Sequence, residues 1–184
     1  MRQIFKNHIH GKKILITFII TNLVYFSMLF LTIPSVMEYA HGMDLFDMMP
    51  AGYSVEYAQT LLTTLGPDGR SAYMNIQLPV DMIYPFLFGL TYSLILAYFL
   101  SKLHWIEKPI FFTVLLPLAA GMFDYAENIG IFLMLRAYPD FPVTIAAWTN
   151  SFTIIKSVLS TLSFTVLLTL LVIILIRSIK LKMK

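Results

Sequence analysis

PIFFTVLLPLAAGMFDYAENIGIFLML, residues 109–135, is the stretch that decides the fold. As a helix rising about 1.5 Å per residue, a run of this length exceeds the roughly 30 Å of hydrocarbon in a bilayer. Its apolar character is broken only in its second half, where Asp124, Glu127 and Asn128 fall within five residues. Charged side chains at membrane depth cost several kcal/mol each, so they mark functional candidates by default.

Three more runs have the same character: residues 14–33, 79–100 and 144–176. In hydrocarbon the backbone must satisfy its own hydrogen bonds, and helices are the only open-ended way to do so. Composition agrees, with 58% apolar residues, 12% charged residues and a mean hydropathy of +0.77. We therefore expect an all-α integral membrane protein, a four-transmembrane-helix bundle forming a single membrane domain over residues 1–184. Arg2, Lys6, Lys12 and Lys13 ahead of the first run resemble the start of a cleaved signal. Its apolar core exceeds the usual length for one, which reads as a retained helix.

Basic residues set the orientation. Ten of the thirteen Lys and Arg residues lie before the first run, in the turn from Lys102 to Lys108, or in the tail from Arg177. Both termini and that turn are expected in the cytoplasm, in a multi-pass protein of the plasma (inner) membrane. The +3 net charge is then a topology signal. The basic tail suits anionic lipid headgroups, and nothing points to nucleic acid.

The loop 34–78 is consequently extracytoplasmic, and it carries Glu38, Asp44, Asp47, Glu56 and Asp68. It is too long for a simple connector. Ser54 suits an N-cap for a helix to about Leu65, with Val55, Ala58, Leu61, Leu62 and Leu65 on one face. Gly66-Pro67-Asp68-Gly69 signals a turn. A further helix is expected to start near Asp68 and run into the second span, bent at Pro79. The loop should therefore be partly helical and lie on the outer surface or cap the bundle.

Depth brings the charges together. Asp124 lies about 22 Å, and Glu127 about 27 Å, along the helix from Pro109. Lys156 lies about 31 Å from Arg177, and Asp81 about 30 Å from Ser101. These four groups on three helices share the outer third of the membrane and sum to minus two. Helical phase puts Asp124 and Asn128 on one face beside Glu127 and Gly121. Thr149, Thr153, Lys156, Ser160 and Ser163 form a stripe on the last helix, with Asn150 at its edge; Tyr84 follows Asp81 on the second. Such a stripe also serves as helix-packing glue. Ala120, Gly121, Ala126 and Gly130 permit close helix approach. Pro85 and Pro117 should kink their helices and free carbonyls that need partners. We expect Asp81, Tyr84, Asp124, Glu127, Asn128, Asn150 and Lys156 to surround an outward-facing polar cavity.

Such a site suits binding or transport of a cation, a proton or a small cationic solute. An intramembrane hydrolase using a carboxylate pair, Asp81 with Asp124, is a second reading. In length, span number and topology the chain is similar to lipoprotein signal peptidase, but it lacks that family's Asn-x-x-Asp-Arg-type motif. A third reading is a non-catalytic accessory or immunity-type subunit, as a homodimer or beside another membrane subunit. No cysteine is present, so thiol chemistry is excluded. The histidines, His8, His10, His41 and His104, fall in predicted loops or tails, and no phosphate loop or catalytic elbow is found. No cofactor is implied. Met37, His41, Met43, Met48 and Met49 form a weak Cu(I)-type pattern that apolar packing explains equally well.

Overall fold

The computed structural model describes residues 10–182, so Arg2, Lys6, His8 and Lys184 lie outside the described residues. Among these the chain is all helical, without strands, and four helices are long and apolar enough to cross a membrane. They are α1 (Gly11–Met37), α3 (Gly66–Lys102), α4 (Pro109–Ala137) and α5 (Val143–Lys182), with a short α2 (Val55–Thr64) in the first connection. Each long helix overruns its expected apolar run, because helical geometry continues into flanking residues that hydropathy does not register. α3 begins at Gly66, two residues before the start expected near Asp68, and its bend falls after Asp81 at Met82-Ile83 and not at Pro79.

The helices pack in a row. α1 lies on α3, α3 on α4, and α4 on α5, with α3 also touching α5. α1 has little contact with α4 or α5, so a seam stays open between the first and last helices. On α1 the buried residues are Ile14, Thr21 and Met28, seven apart, then Thr32 and Val36, four apart. The change of step coincides with a π-helical turn at Met28–Thr32, which rotates the buried stripe. A second π turn, Tyr73–Gln77 of α3, faces it, and Thr32 hydrogen-bonds Gln77 across the two. A buried bond between Thr21 Oγ1 and Thr91 Oγ1, at 2.8 Å, ties the same helices lower down. Elsewhere α1 and α5 expose Leu23, Phe30, Leu31, Leu168 and Leu175, as lipid-facing surfaces do.

Two prolines and two glycines set the α3–α4 crossing. Pro85 and Gly89 on α3 are four apart, as are Pro117 and Gly121 on α4. A Cβ on Gly121 would stand 2.6 Å from the Pro85 carbonyl oxygen, and one on Gly89 would stand 3.3 Å from that of Pro117. Both prolines sit in or near the first turn of a regular helical segment, Tyr84–Lys102 or Leu115–Ala137, where their missing N–H is tolerated. Side chains donate to backbone carbonyls near both prolines. Ser93 Oγ donates to the Val114 carbonyl at 2.6 Å, and Asn128 Nδ2 donates to the Asp81 carbonyl at 3.3 Å.

α2 caps the bundle. Ser54 Oγ accepts from the Tyr57 amide at 3.1 Å, an N-cap bond. Ala58, Leu61, Leu62 and Leu65 are buried against Ile131, Met134 and Leu135 of α4 and Ala146 of α5. Met37, Met43 and Met49 pack on this same apolar cluster. Arg70 is tied down, donating to the Leu62 carbonyl at 2.8 Å and stacking over the Tyr138 ring at 4.0 Å.

Gly121→Val should force α3 and α4 apart. Overpacking of this kind costs about 1–3 kcal/mol. A clear fall in melting temperature of the detergent-purified protein is expected, whereas an unchanged value would refute the close crossing.

Candidate functional site

Lys156 reaches from α5 to two carboxylates of α4. Its Nζ lies 3.2 Å from Asp124 Oδ1 and is in ion-pair contact with Glu127 Oε2. The other Glu127 oxygen, Oε1, accepts from Thr153 Oγ1 at 2.8 Å. Glu127 is fully buried, Asp124 is 7% exposed, and the Lys156 side chain is 17% exposed. The spacing explains the convergence. Asp124 and Glu127 are one turn apart on α4, and Thr153 and Lys156 are one turn apart on α5, so both pairs present a common face. The helices can meet there because Gly130 leaves room for Thr149.

Asp81 lies beside this clasp and outside it. It is 3% exposed, and its carboxylate makes no hydrogen bond or ion pair with any described residue. It lines a cavity of about 420 Å³ together with Asp124, Lys156, Tyr84 and Asp47. Met28 and Leu29 of α1 line it near the level of Asp81, and lower walls come from Phe88 of α3 and Ser160 and Phe164 of α5. The cavity therefore occupies the seam between α1 and α5, with α3 and α4 behind it. Its formal charge is negative, since Lys156 already faces two carboxylates. Among the described residues, no three histidine or acidic side chains are grouped so as to hold a metal ion.

The expected site residues separate into three groups. Asp81, Tyr84, Asp124 and Lys156 line the cavity, and Glu127 sits behind Lys156. Asn128 acts on the backbone instead. Its amide nitrogen holds the Asp81 carbonyl that Pro85 cannot engage, which fixes the chain where Asp81 is presented. Asn150 is not in the cavity lining. Its Oδ1 accepts from the Tyr53 amide at 2.8 Å and moors the loop before α2 to α5. Helical phase places it at the edge of the polar stripe without indicating which neighbour it meets.

Asp47 is the residue that sequence reasoning missed. It belongs to the loop before α2, where the sequence shows it only as part of an acidic surface. Leu45 and Phe46 are fully buried, with the Phe46 ring 4.7 Å from that of Tyr53 and 6.1 Å from that of Tyr73. This anchor draws Asp47 inward, where the Tyr73 hydroxyl donates to its Oδ2 at 2.9 Å. Its Oδ1 is buried with no hydrogen-bond partner. An apolar Leu-Phe pair between two aspartates was the available signal. Tyr53 completes the cover: burial above all, then the charge of Glu127, holds its phenol well above the usual range.

No family model matches this chain, and no curated protein or solved structure shows significant similarity to it.

Removing one partner of a buried pair leaves charge uncompensated, at a cost of about 3–5 kcal/mol. Lys156→Met should therefore destabilise the protein strongly. Adding Asp124→Asn and Glu127→Gln to it should recover most of that loss in thermal melts. A mild effect of Lys156→Met alone would show that the clasp does not carry the α4–α5 interface.

Proposed function

We propose that this is a membrane protein of the plasma (inner) membrane that binds a cation in an acidic cavity within its outer half, as a receptor or carrier for it. The observation that carries this reading is Asp81: a buried carboxylate without a counter-charge of its own, facing a cavity large enough for a ligand. A buried, unpaired charge is disfavoured unless something compensates it. Lys156 does not serve, because Asp124 and Glu127 already engage it. A bound cation or a proton at Asp81 supplies what is lacking.

The topology proposed with it has both termini in the cytoplasm. Lys102, Lys108 and Arg177 gather around aromatic rings at one end of the bundle. Lys102 lies 5.4 Å from the Tyr98 ring, and Lys108 and Arg177 lie 5.0 and 5.6 Å from that of Trp105. This is the basic, aromatic-belted pattern of a cytoplasmic interface. The acidic loop residues Asp44 and Asp47 belong to the opposite end, so the cavity faces outward.

The pairing of Lys156 favours a purely structural role for the clasp itself. That reading leaves Asp81, the Asp47 Oδ1 and the cavity without a purpose, and we place it second.

Tetramethylammonium binding tests the proposal directly. Added to the detergent-purified protein, it should raise the melting temperature in a saturable way. Asp81→Asn should weaken that binding at least about tenfold, since a bond to a buried charge is worth about 1.5–3 kcal/mol. Equal binding by wild type and Asp81→Asn would refute the assignment of Asp81 as the cation-binding group.

A further inference from the structure

The walls of the cavity narrow the kind of cation. Resting on the cation reading above, we infer that the ligand is an organic ammonium ion with an apolar body, a hydrophobic amine or quaternary ammonium, and that it reaches the site through the seam between α1 and α5.

Three observations carry this. First, aromatic rings stand beside the carboxylate of Asp81, and no three acidic or histidine side chains among the described residues are grouped to hold a metal ion. Tyr25 and Tyr84 both line the cavity with ring centroids 5.6 Å apart, and Phe88 follows at 5.8 Å from Tyr84. Aromatic faces beside a carboxylate are the surroundings that bind alkylated ammonium groups. A hard metal ion requires several oxygens in its first shell. Second, the space is too large for an inorganic ion. A cavity of about 420 Å³ lies in the range of small-molecule sites, and its lower part is bounded by Phe88 and Phe164. Acid above and apolar rings below make it amphipathic, matching a cationic head with an attached hydrocarbon body. Third, one wall is incomplete. α1 touches α5 so little that Tyr25 and Leu29, which line the cavity, remain about 40% exposed at its side. That side faces where lipid would be, so a bilayer-partitioned amphiphile can approach through it.

The roles divide accordingly. Asp81 pairs with the ammonium, Tyr25 and Tyr84 flank it, and Phe88 and Phe164 receive the apolar body. Asp47 adds negative potential from above. Lys156 limits the surplus charge and holds Asp124 where it completes the wall.

The test uses the full chain in nanodiscs of zwitterionic lipid, with equilibrium dialysis and subtraction of empty discs. The probes are tetramethylammonium, octyltrimethylammonium and octyl sulfate. Octyltrimethylammonium should bind at least about tenfold more tightly than tetramethylammonium, because each buried methylene contributes several-fold in affinity. Octyl sulfate should not bind. Phe164→Ala should lower the ratio of the two ammonium affinities, and Asp81→Asn should weaken both. Equal affinity for the two ammonium ions overturns this inference while leaving the cation reading standing. Binding of octyl sulfate as tightly as octyltrimethylammonium also overturns it, since charge would then not be recognised. Failure of both ammonium ions to bind overturns this inference and the cation reading together. The wild-type series alone decides these outcomes, so the test stands if a variant fails to fold.

Discussion

One ammonium group between two buried carboxylates is the constraint on which the rest of the bundle depends. Asp124 and Glu127 would repel each other in a medium of low polarity, and Lys156 turns that repulsion into the α4–α5 joint. The geometry around it is arranged to keep the pairing whole. Thr153 occupies the Glu127 oxygen that faces away from Lys156, and Gly130 lets the helices approach closely enough for the reach to be short. A clasp of this kind consumes the lysine of the cavity. Every other acid there must therefore find its compensation elsewhere.

Asp81 is held in that position by backbone chemistry. Pro85 cannot donate to the carbonyl four residues earlier, which is that of Asp81, and Asn128 supplies the missing donor from α4. Gly121 lets the Pro85 carbonyl come close, so the proline that creates the orphan also sits at the crossing that brings its partner. The two facing π turns in α1 and α3 act at the next level up. The π turn of α1 moves its buried stripe onto Thr32 and Val36, just beyond the Met28 and Leu29 that line the cavity, and Thr32 there bonds Gln77 of the π turn in α3. Local departures from regular helix thus concentrate around a single space, as departures at functional sites do.

The four long helices are legible in the sequence because hydropathy responds to composition over many turns at once. So is the facing of Lys156 with Asp124 and Glu127, which follows from helical phase and depth. The start of α3 is legible to within two residues from the turn signal at Gly66–Gly69, whereas its bend, expected at Pro79, falls at Met82-Ile83. Asp47 is hidden because its position depends on where Phe46 docks, a tertiary event with no periodicity in the loop. Asn150 is obscured for a related reason. Phase gives a direction around one helix, and the partner Asn150 meets is the Tyr53 amide from a distant segment. Asn128 reads from the sequence as a ligand group, whereas its work lies in satisfying a carbonyl. A freed carbonyl four residues before Pro85 is foreseeable, and the Asn128 amide as its donor is not.

The central claim is that the cavity is negative and open to the outside. A single cysteine reports on both, because the chain has none of its own. Ser160 lines the cavity on α5 and differs from cysteine by one atom. Ser160→Cys in sealed, right-side-out vesicles should react with an externally added, membrane-impermeant methanethiosulfonate carrying an ammonium group much faster than with its sulfonate analogue. Reaction at equal rates with both reagents, or with neither from the outside, would contradict that claim.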